Sequence, residues 1–362
     1  MKEMMRAAVY YNNSDIRIEE MPIPEIGPDE VLVKTIASGI CGGELMEWYH
    51  APRAPKVMGH EPAGIIVDKG SQVKNFNVGD RVFVNHYVSC GTCRQCLRGR
   101  FTLCEHLKES KLFPGTTCEY FRVPSRQLNR DTLIIPDNVT FAEATVCEPW
   151  GCVLGGLKVT EILPGDTVLV IGAGFMGMGF LHMAPLFGAG KVISMDLSDW
   201  RLNKSLSMGA THTINPKTEN PEEKLRDING GYLADVVIVT VPTVQLYSQG
   251  HNLVERGGFL HLGAPTMPEP LWTINPQRQY FTEMKVSAKY SADHNDTSQI
   301  MKWLAAGRID AKAAITHRCE LDDTFSAFRM MLDAGESLKT VVYPHGIDQE
   351  IQPVSKKIGT DS

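Results

Sequence analysis

Four cysteines, Cys90, Cys93, Cys96 and Cys104, follow one another as C-x2-C-x2-C-x7-C. That spacing wraps four thiolates tetrahedrally around one closed-shell ion. A site with every position filled by protein keeps none for water or substrate, so zinc bound there is structural and holds a loop together. Four thiolates also suit an iron-sulfur cluster, but the rest of the chain gives such a cluster no task. A second, dispersed set offers different chemistry: Cys41 in Gly39-Ile40-Cys41-Gly42, His60 and Glu61 in Gly59-His60-Glu61-Pro62, and Glu148 in Cys147-Glu148-Pro149. One thiolate, one imidazole and one carboxylate leave a fourth position open, where a metal polarises a carbonyl or lowers the pKa of a bound alcohol. Taken singly, a cysteine or histidine is more often a packed core residue.

A third constellation is a glycine turn. The run Val168, Leu169, Val170, Ile171 leads into Gly172, Gly174 and Gly177, spaced G-x-G-x-x-G, and then into a helix expected over Met178 to Phe187. A tight turn, close backbone approach to a pyrophosphate and close packing of helix on strand are what those glycines permit, with helix N–H groups facing the phosphates. Asp196 lies nineteen residues after Gly177, at the end of the next apolar run. It is placed to accept hydrogen bonds from adenosine ribose hydroxyls and to repel a phosphate there, which favours NAD over NADP. The alternative is that Asp196 only caps a helix. Arg201 is either a solvated helix residue or a stack on adenine.

Positioning these groups takes two kinds of scaffold. The first 150 residues read as short strands broken by Gly and Pro, among them Glu30 to Ala37, Ala63 to Lys69 and Arg81 to Asn85. From Pro164 onward apolar β-branched runs alternate with helical stretches: Thr167 to Ile171, Lys191 to Asp196, Ala234 to Val241, Gly258 to Gly263 and Lys285 to Tyr290. Such alternation implies a parallel sheet covered by helices. Amphipathic helices are expected over Asp296 to Ala306 and Asp322 to Ala334, a last strand over Thr340 to Tyr343, and a loose polar tail from His345.

Composition sets the outer bounds. At 362 residues with 43% hydrophobic content, two cores are expected rather than one. Lys plus Arg number 36 against 42 Asp plus Glu, a net charge of -6 with no basic block, which excludes nucleic acid as the expected partner. Met1 to Arg6 carries mixed charge and no long apolar run follows, so neither a secretory signal nor a membrane span is expected, and a cytoplasmic location is. Nine cysteines, four of them crowded together, suit thiolates in a reducing compartment better than disulfides.

With these motifs in order, together with Val78-Gly79-Asp80-Arg81-Val82 and Glu148-Pro149, the chain resembles the medium-chain dehydrogenase/reductase superfamily in its zinc-dependent alcohol and polyol dehydrogenase branch. The resemblance covers nearly the whole chain. It implies an α/β plus β fold: a GroES-like β-rich catalytic domain (1–156 and 292–362) with an inserted Rossmann doubly wound parallel-sheet domain (157–291). It implies two zinc ions per chain, one catalytic and one structural, and NAD as cofactor. Cys41, His60 and Glu148 then lie near the catalytic zinc, with Glu61 as a nearby or alternate ligand. The activity implied is reversible hydride transfer between NAD and a small secondary alcohol or polyol, in a homo-oligomer, a dimer or tetramer. Two rivals are a zinc-free NADPH-dependent reductase of the same superfamily and a non-enzymatic NAD-binding protein.

The chain departs from the family after Cys41-Gly42. Relatives place Ser or Thr and then Asp there, whereas this chain has Gly43 and Glu44, and Met46 stands where some place a relay histidine. The usual hydroxyl for moving the substrate proton is missing. Glu44 is expected to orient His60 in place of the Asp. Glu61, Glu148 acting through water, Glu47 and His50 are the alternative proton carriers. Trp48, Tyr49, Leu112, Phe113 and Trp150 either line the substrate cleft or are core aromatics and aliphatics, and Lys289 with Tyr290 resembles the Arg-Tyr pair that sorbitol dehydrogenases direct at the polyol. Cys118, Cys147, Cys152 and Cys319 fit no ligand pattern and are expected as small buried hydrophobes.

Overall fold

The computed structural model describes residues 3–350. The chain forms two compact units: one runs to Glu148 and resumes at Asp293, the other spans Pro149–Ala292. The second unit thus begins at Pro149, where the sequence reading put it at 157. Trp150 accounts for the difference, because it is fully buried against the helix of the glycine turn, stacked on Phe175 at 5.8 Å and packed on Gly179.

The second unit is a six-stranded sheet in the order His212–Ile214, Lys191–Met195, Thr167–Ile171, Ala234–Val239, Val254–Leu262, Lys285–Ala288, with every neighbouring pair parallel. That is the doubly wound order of a Rossmann fold. Thr167–Ile171 lies at its centre and is buried throughout, as an unbroken β-branched run requires when helices cover both faces. The helix after the glycine turn spans Phe175–Met183 and ends in a 3-10 turn over Ala184–Phe187, where Pro185 removes the donor that would continue it.

In the first unit, a seven-stranded sheet has Val31–Gly39 at its centre, flanked by Glu61–Lys69 and Lys339–Tyr343, and Tyr120–Val123 also pairs with the central strand. A separate sheet pairs Met4–Asn12 with Asp15–Pro22 and Lys56–Val57, strands that the sequence reading did not anticipate. The segment after His345 corrects the expectation of a loose tail. His345 Nε2 lies 2.9 Å from the Glu119 carbonyl, Ile347–Glu350 forms a turn, and Glu350 accepts the Ala142 N–H at 3.0 Å. The residues past 350 lie outside the described ones. No helix among the described residues is long and apolar enough to cross a membrane.

The returning segment is fastened to the first by a buried carboxylate. Asp131 accepts hydrogen bonds from Asn85 Nδ2 and Thr297 Oγ1, each at 2.7 Å. Burial, reinforced by Asp293 and Asp296, raises it to about 7 against those two bonds. A carboxyl raised in the fold binds its proton more tightly when folded. Its contribution is therefore full below the unfolded pKa of about 4 and is lost as pH rises to about 7, by roughly 2 to 4 kcal/mol. Urea melts at pH 4.5, 5.5 and 7.5 should show Asp131→Asn losing less stability than the parent across this window. Parallel profiles would remove the assignment.

Candidate functional site

Backbone pairing brings the dispersed set together. Gly39, at the end of the central strand, pairs with Glu61 at the start of the next, so Cys41 and His60 emerge from the sheet side by side. Gly39 has to be glycine, because a Cβ there would sit 2.0 Å from Glu61 Oε2. Gly59 adopts φ +88, and a Cβ would strike the Thr117 backbone at 2.5 Å. Ligand atoms of Cys41, His60 and Glu61 all lie within 4.8 Å of one another. Glu148 is outside this trio, and its Oε1 lies 3.8 Å from His86 Nδ1. Of the two carboxylates that the sequence reading placed near the metal, Glu61 lies within this trio and Glu148 lies beside His86, whose ring packs on His60. Adjacency in the sheet decides this.

Glu44 is buried beneath the trio. Its carboxylate accepts the Gly59 N–H at 2.7 Å and the Cys41 N–H at 3.4 Å, and lies 3.4 Å from His60 Nδ1. Burial alone would raise this carboxyl, but His60 and the Gly59 N–H outweigh burial and hold it at about 2. For His60 the cost of burial is outweighed by Cys41 and Glu44, which raise the imidazole well above its ordinary value. Burial pushes the Cys41 thiol up, with His60 pulling against it.

Two residues of this region escaped the sequence reading. Lys339 is almost wholly buried and donates to both Glu61 oxygens, at 2.7 and 2.9 Å, and to the Ile40 carbonyl at 3.0 Å. The pairing of Val341 with Gly39 sets Lys339 opposite Cys41 in register. A lysine opening the apolar run Lys339 to Tyr343 was the available signal, since a buried charge demands a partner. His86, just past the strand Arg81–Val84, packs its ring 4.6 Å from His60 and 4.0 Å from Tyr87. Burial, with His60 and Lys108 adding to it, lowers His86 well below the ordinary imidazole value.

At position 43 a Cβ would lie 3.4 Å from Cys41 Sγ, in ordinary contact, so the missing hydroxyl is not a matter of space. His50 Nε2 lies 3.1 Å from the Gly43 carbonyl and its Nδ1 lies 2.6 Å from Lys56 Nζ. Glu47 instead accepts the Asn13 N–H at 3.2 Å. Of the residues expected to line the pocket, Trp150 and Leu112 belong to the cores, whereas Trp48 and Phe113 are exposed and Tyr49 is half-buried. Tyr290 is exposed. Cys118 and Cys147 are fully buried as expected, while Cys152 and Cys319 are only partly so.

The four cysteines form a second metal-ready group, with ligand atoms within 4.8 Å of one another. Three sulfur separations are 3.5 Å for Cys93 to Cys96, 3.9 Å for Cys90 to Cys96 and 3.9 Å for Cys93 to Cys104. A tetrahedron with Zn–S of about 2.3 Å has edges of about 3.8 Å. Backbone N–H groups of Thr92 and Cys93 point at Cys90 Sγ, and those of Cys90 and His106 at Cys104 Sγ. Hydrogen bonds from Thr92 lower the Cys90 thiol to about 5, while burial pushes Cys104 up to about 12. Apart from the thiols, the lobe's own core is Leu107 with Tyr87 and Phe101 against it.

The glycine turn has the shape of a phosphate cradle. Gly172 takes φ +95, and a Cβ at Gly177 would lie 1.9 Å from the Gly172 carbonyl, so the helix packs hard on the strand end. Gly174 faces open space at the N-terminus of Phe175–Met183, and a helix N-terminus suits phosphate. Asp196 accepts the N–H groups of Ala173 at 2.7 Å and Ser198 at 2.8 Å. It thereby stiffens the turn, and Ser198, not Asp196, caps the helix Asp199–Ser207. Arg201 is half-buried in that helix's first turn.

A Rossmann unit with an open glycine cradle, joined to a GroES-like unit with a three-ligand and a four-thiolate group, defines a class of two-domain metal-binding dehydrogenases. Residues 27–137 match the alcohol dehydrogenase GroES-like domain and residues 176–306 the zinc-binding dehydrogenase domain. Sorbitol dehydrogenase of Bacillus subtilis (strain 168) is 32% identical over 94% of this chain and 98% of its own. L-threonine 3-dehydrogenase of Bacillus velezensis is 30% identical over 94% of this chain and 99% of its own. A solved structure described as a zinc-binding dehydrogenase of Sinorhizobium meliloti 1021, bound to NADP, superposes with TM-score 0.84 at 28% identity, covering 95% of this chain and 100% of that one. The chain belongs to the medium-chain dehydrogenases, in their zinc-dependent alcohol and polyol dehydrogenase branch.

Proposed function

We propose that the protein is an NAD-dependent, zinc-containing dehydrogenase that interconverts a small secondary alcohol or polyol and its ketone. The observation that carries this reading is the convergence of Cys41, His60 and Glu61 on one point. Three protein donors leave a fourth position open, which is the donor set of a catalytic rather than a structural site. When bound, the metal supplies Lewis acidity at the carbinol oxygen and the nicotinamide accepts the hydride. Glu44 orients His60, and Lys339 holds Glu61. Gly43 offers no hydroxyl and Lys339 already occupies Glu61. Glu148, beside His86 and outside the trio, is then the carboxylate that takes the substrate proton through water. Cys90, Cys93, Cys96 and Cys104 would hold the second, structural zinc.

The test is zinc content per chain, followed by NAD reduction with polyols and secondary alcohols before and after chelation. Two zinc ions and a chelation-sensitive rate are expected. A protein that binds NAD but turns over no alcohol would favour the non-enzymatic alternative.

Asp196 supports NAD over NADP, although one similar structure holds NADP. Its carboxylate would meet the ribose hydroxyls and repel a 2′-phosphate. Asp196→Ala should raise the KM for NAD roughly tenfold or more and narrow the gap to NADP. Because Asp196 also bonds the Ala173 N–H, part of the loss reflects a looser turn. A parent enzyme faster with NADP would overturn the assignment.

A homo-oligomer is supported by the edge strand Lys285–Ala288 and the helix Pro276–Thr282, which expose Val286, Tyr280 and Phe281 together. Unpaired strand edges carrying apolar side chains favour pairing with another copy. Light scattering should give a dimer or tetramer, and the double change Tyr280→Glu with Phe281→Glu should lower the mass. Nine cysteines with no disulfide between them fit a reducing, cytoplasmic setting.

A further inference from the structure

Hydrogen bonds on either side pin the backbone that carries His86. The Asn85 N–H donates to the Asp131 carbonyl at 3.0 Å and its side chain to the Asp131 carboxylate, while the His86 carbonyl accepts from the buried Gln127 amide at 3.1 Å. The ring itself is fixed by contact with Tyr87 at 4.0 Å and His60 at 4.6 Å between centroids. Its two nitrogens then meet different surroundings. Nδ1 is buried, makes no hydrogen bond and lies 3.8 Å from Glu148 Oε1, whereas Nε2, equally without a hydrogen bond, stays open to solvent.

This open nitrogen shares its exposure with the metal-ready trio. The side chains of His60 and His86 are 23% and 17% exposed, so solvent reaches both rings of the contacting pair. Cys41 is also partly exposed, and position 43 adds no side chain beside it: a Cβ there would meet only Cys41 Sγ and Met46 Cε within 4 Å. Solvent-open space therefore borders Cys41, His60 and His86. Packing alone would be served as well by an apolar ring. A ring nitrogen buried 3.8 Å from a carboxylate is a cost that calls for a use.

We propose that His86 is a specificity residue: its Nε2 binds the hydroxyl next to the reacting carbinol, so that the substrate is a vicinal diol rather than an isolated secondary alcohol. The inference deepens, and rests on, the reading of Cys41, His60 and Glu61 as the reacting centre. Oxygens on neighbouring carbons lie about 3 Å apart, a hydrogen-bond length. One diol thus reaches both the open position beside His60 and the ring packed against it. A hydroxyl donates and accepts, so Nε2 finds a partner in it whichever ring nitrogen carries the proton. Glu148, at the other nitrogen, favours the ring orientation that keeps Nε2 outward. A mono-ol leaves Nε2 desolvated and unpaired, which is how a site built for a hydroxyl rejects an analogue lacking one.

The test uses the zinc-replete protein with NAD and pairs each stereoisomer of vicinal butanediol with the sec-butanol of the same carbinol configuration. The best diol should exceed its mono-ol in kcat/KM by roughly tenfold or more. His86→Phe keeps a ring against His60 but no nitrogen, and should cut that ratio about tenfold. His86→Gln, whose amide reaches about as far as Nε2, should restore most of it. Zinc content and circular dichroism of both variants are matched to the parent. A second readout needs no turnover. Diethyl pyrocarbonate acylates an accessible imidazole nitrogen, and peptide mass spectrometry should find His86 labelled in the zinc-replete protein and protected by the diol more than by the mono-ol. Mono-ols oxidised as fast as diols, or a diol preference that survives His86→Phe, overturns the inference and leaves the proposed dehydrogenase standing. If the butane alcohols are not oxidised, or His86→Phe loses its zinc, the labelling decides: selective protection supports the inference, and an unlabelled or unprotected His86 overturns it. Failure of every polyol and secondary alcohol as well would put the proposed function itself in question.

Discussion

Cys96→Ser is expected to release one zinc per chain and lower the melting temperature by roughly 5 to 10 °C, with the loss concentrated in residues 90–107. The reason is how little else holds this lobe. Its apolar core is Leu107 with the cysteines, Tyr87 and Phe101 pack against it, and Thr102 is the other buried residue of 90–107. Helical structure there is one α turn, Arg94–Leu97, and one 3-10 turn, Phe101–Leu103, each too short to persist alone. Zinc held by the four thiolates would therefore supply folding free energy directly, and three thiolates would leave it a weaker, solvent-accessible site. The checks are metal analysis, a melt, and hydrogen exchange over the lobe. A variant that keeps its full zinc and melts like the parent would falsify the metal assignment.

Lys339→Met should destabilise the first unit by about 3 to 5 kcal/mol, because it leaves the Glu61 carboxylate buried without its partner. The double variant Lys339→Met with Glu61→Gln should recover part of that loss, since a neutral amide costs less to bury than an orphaned charge. If Glu61 also faces the catalytic metal, the destabilisation should be larger after chelation than in zinc-replete protein, where the ion's charge compensates. Denaturant titrations of the parent, Lys339→Met, Glu61→Gln and the double variant, with and without chelator, give the coupling. A single variant within about 1 kcal/mol of the parent would show that the ammonium does not hold Glu61.

Taken together, the two variants separate what could be read in one dimension from what could not. Sequence by itself determined the four-cysteine lobe and the glycine turn with Asp196, because each is local: closely spaced ligands can meet on one loop, and a buried strand running into G-x-G-x-x-G forces the same turn wherever it occurs. It also determined the alternation that makes a parallel sheet, since β-branched runs separated by helical lengths have few other ways to bury themselves. Tertiary structure alone decided which carboxylate joins Cys41 and His60. That choice follows from the pairing of Gly39 with Glu61 and the register of Val341 on Gly39, which sets Lys339 against a residue 278 positions away. It also drew Trp150 into the Rossmann core rather than a pocket, and placed His86 against His60 and beside Glu148. Periodicity and spacing report what a segment buries against its own neighbours. Pairing between distant strands depends on which segments fold onto each other, and no local signal encodes it.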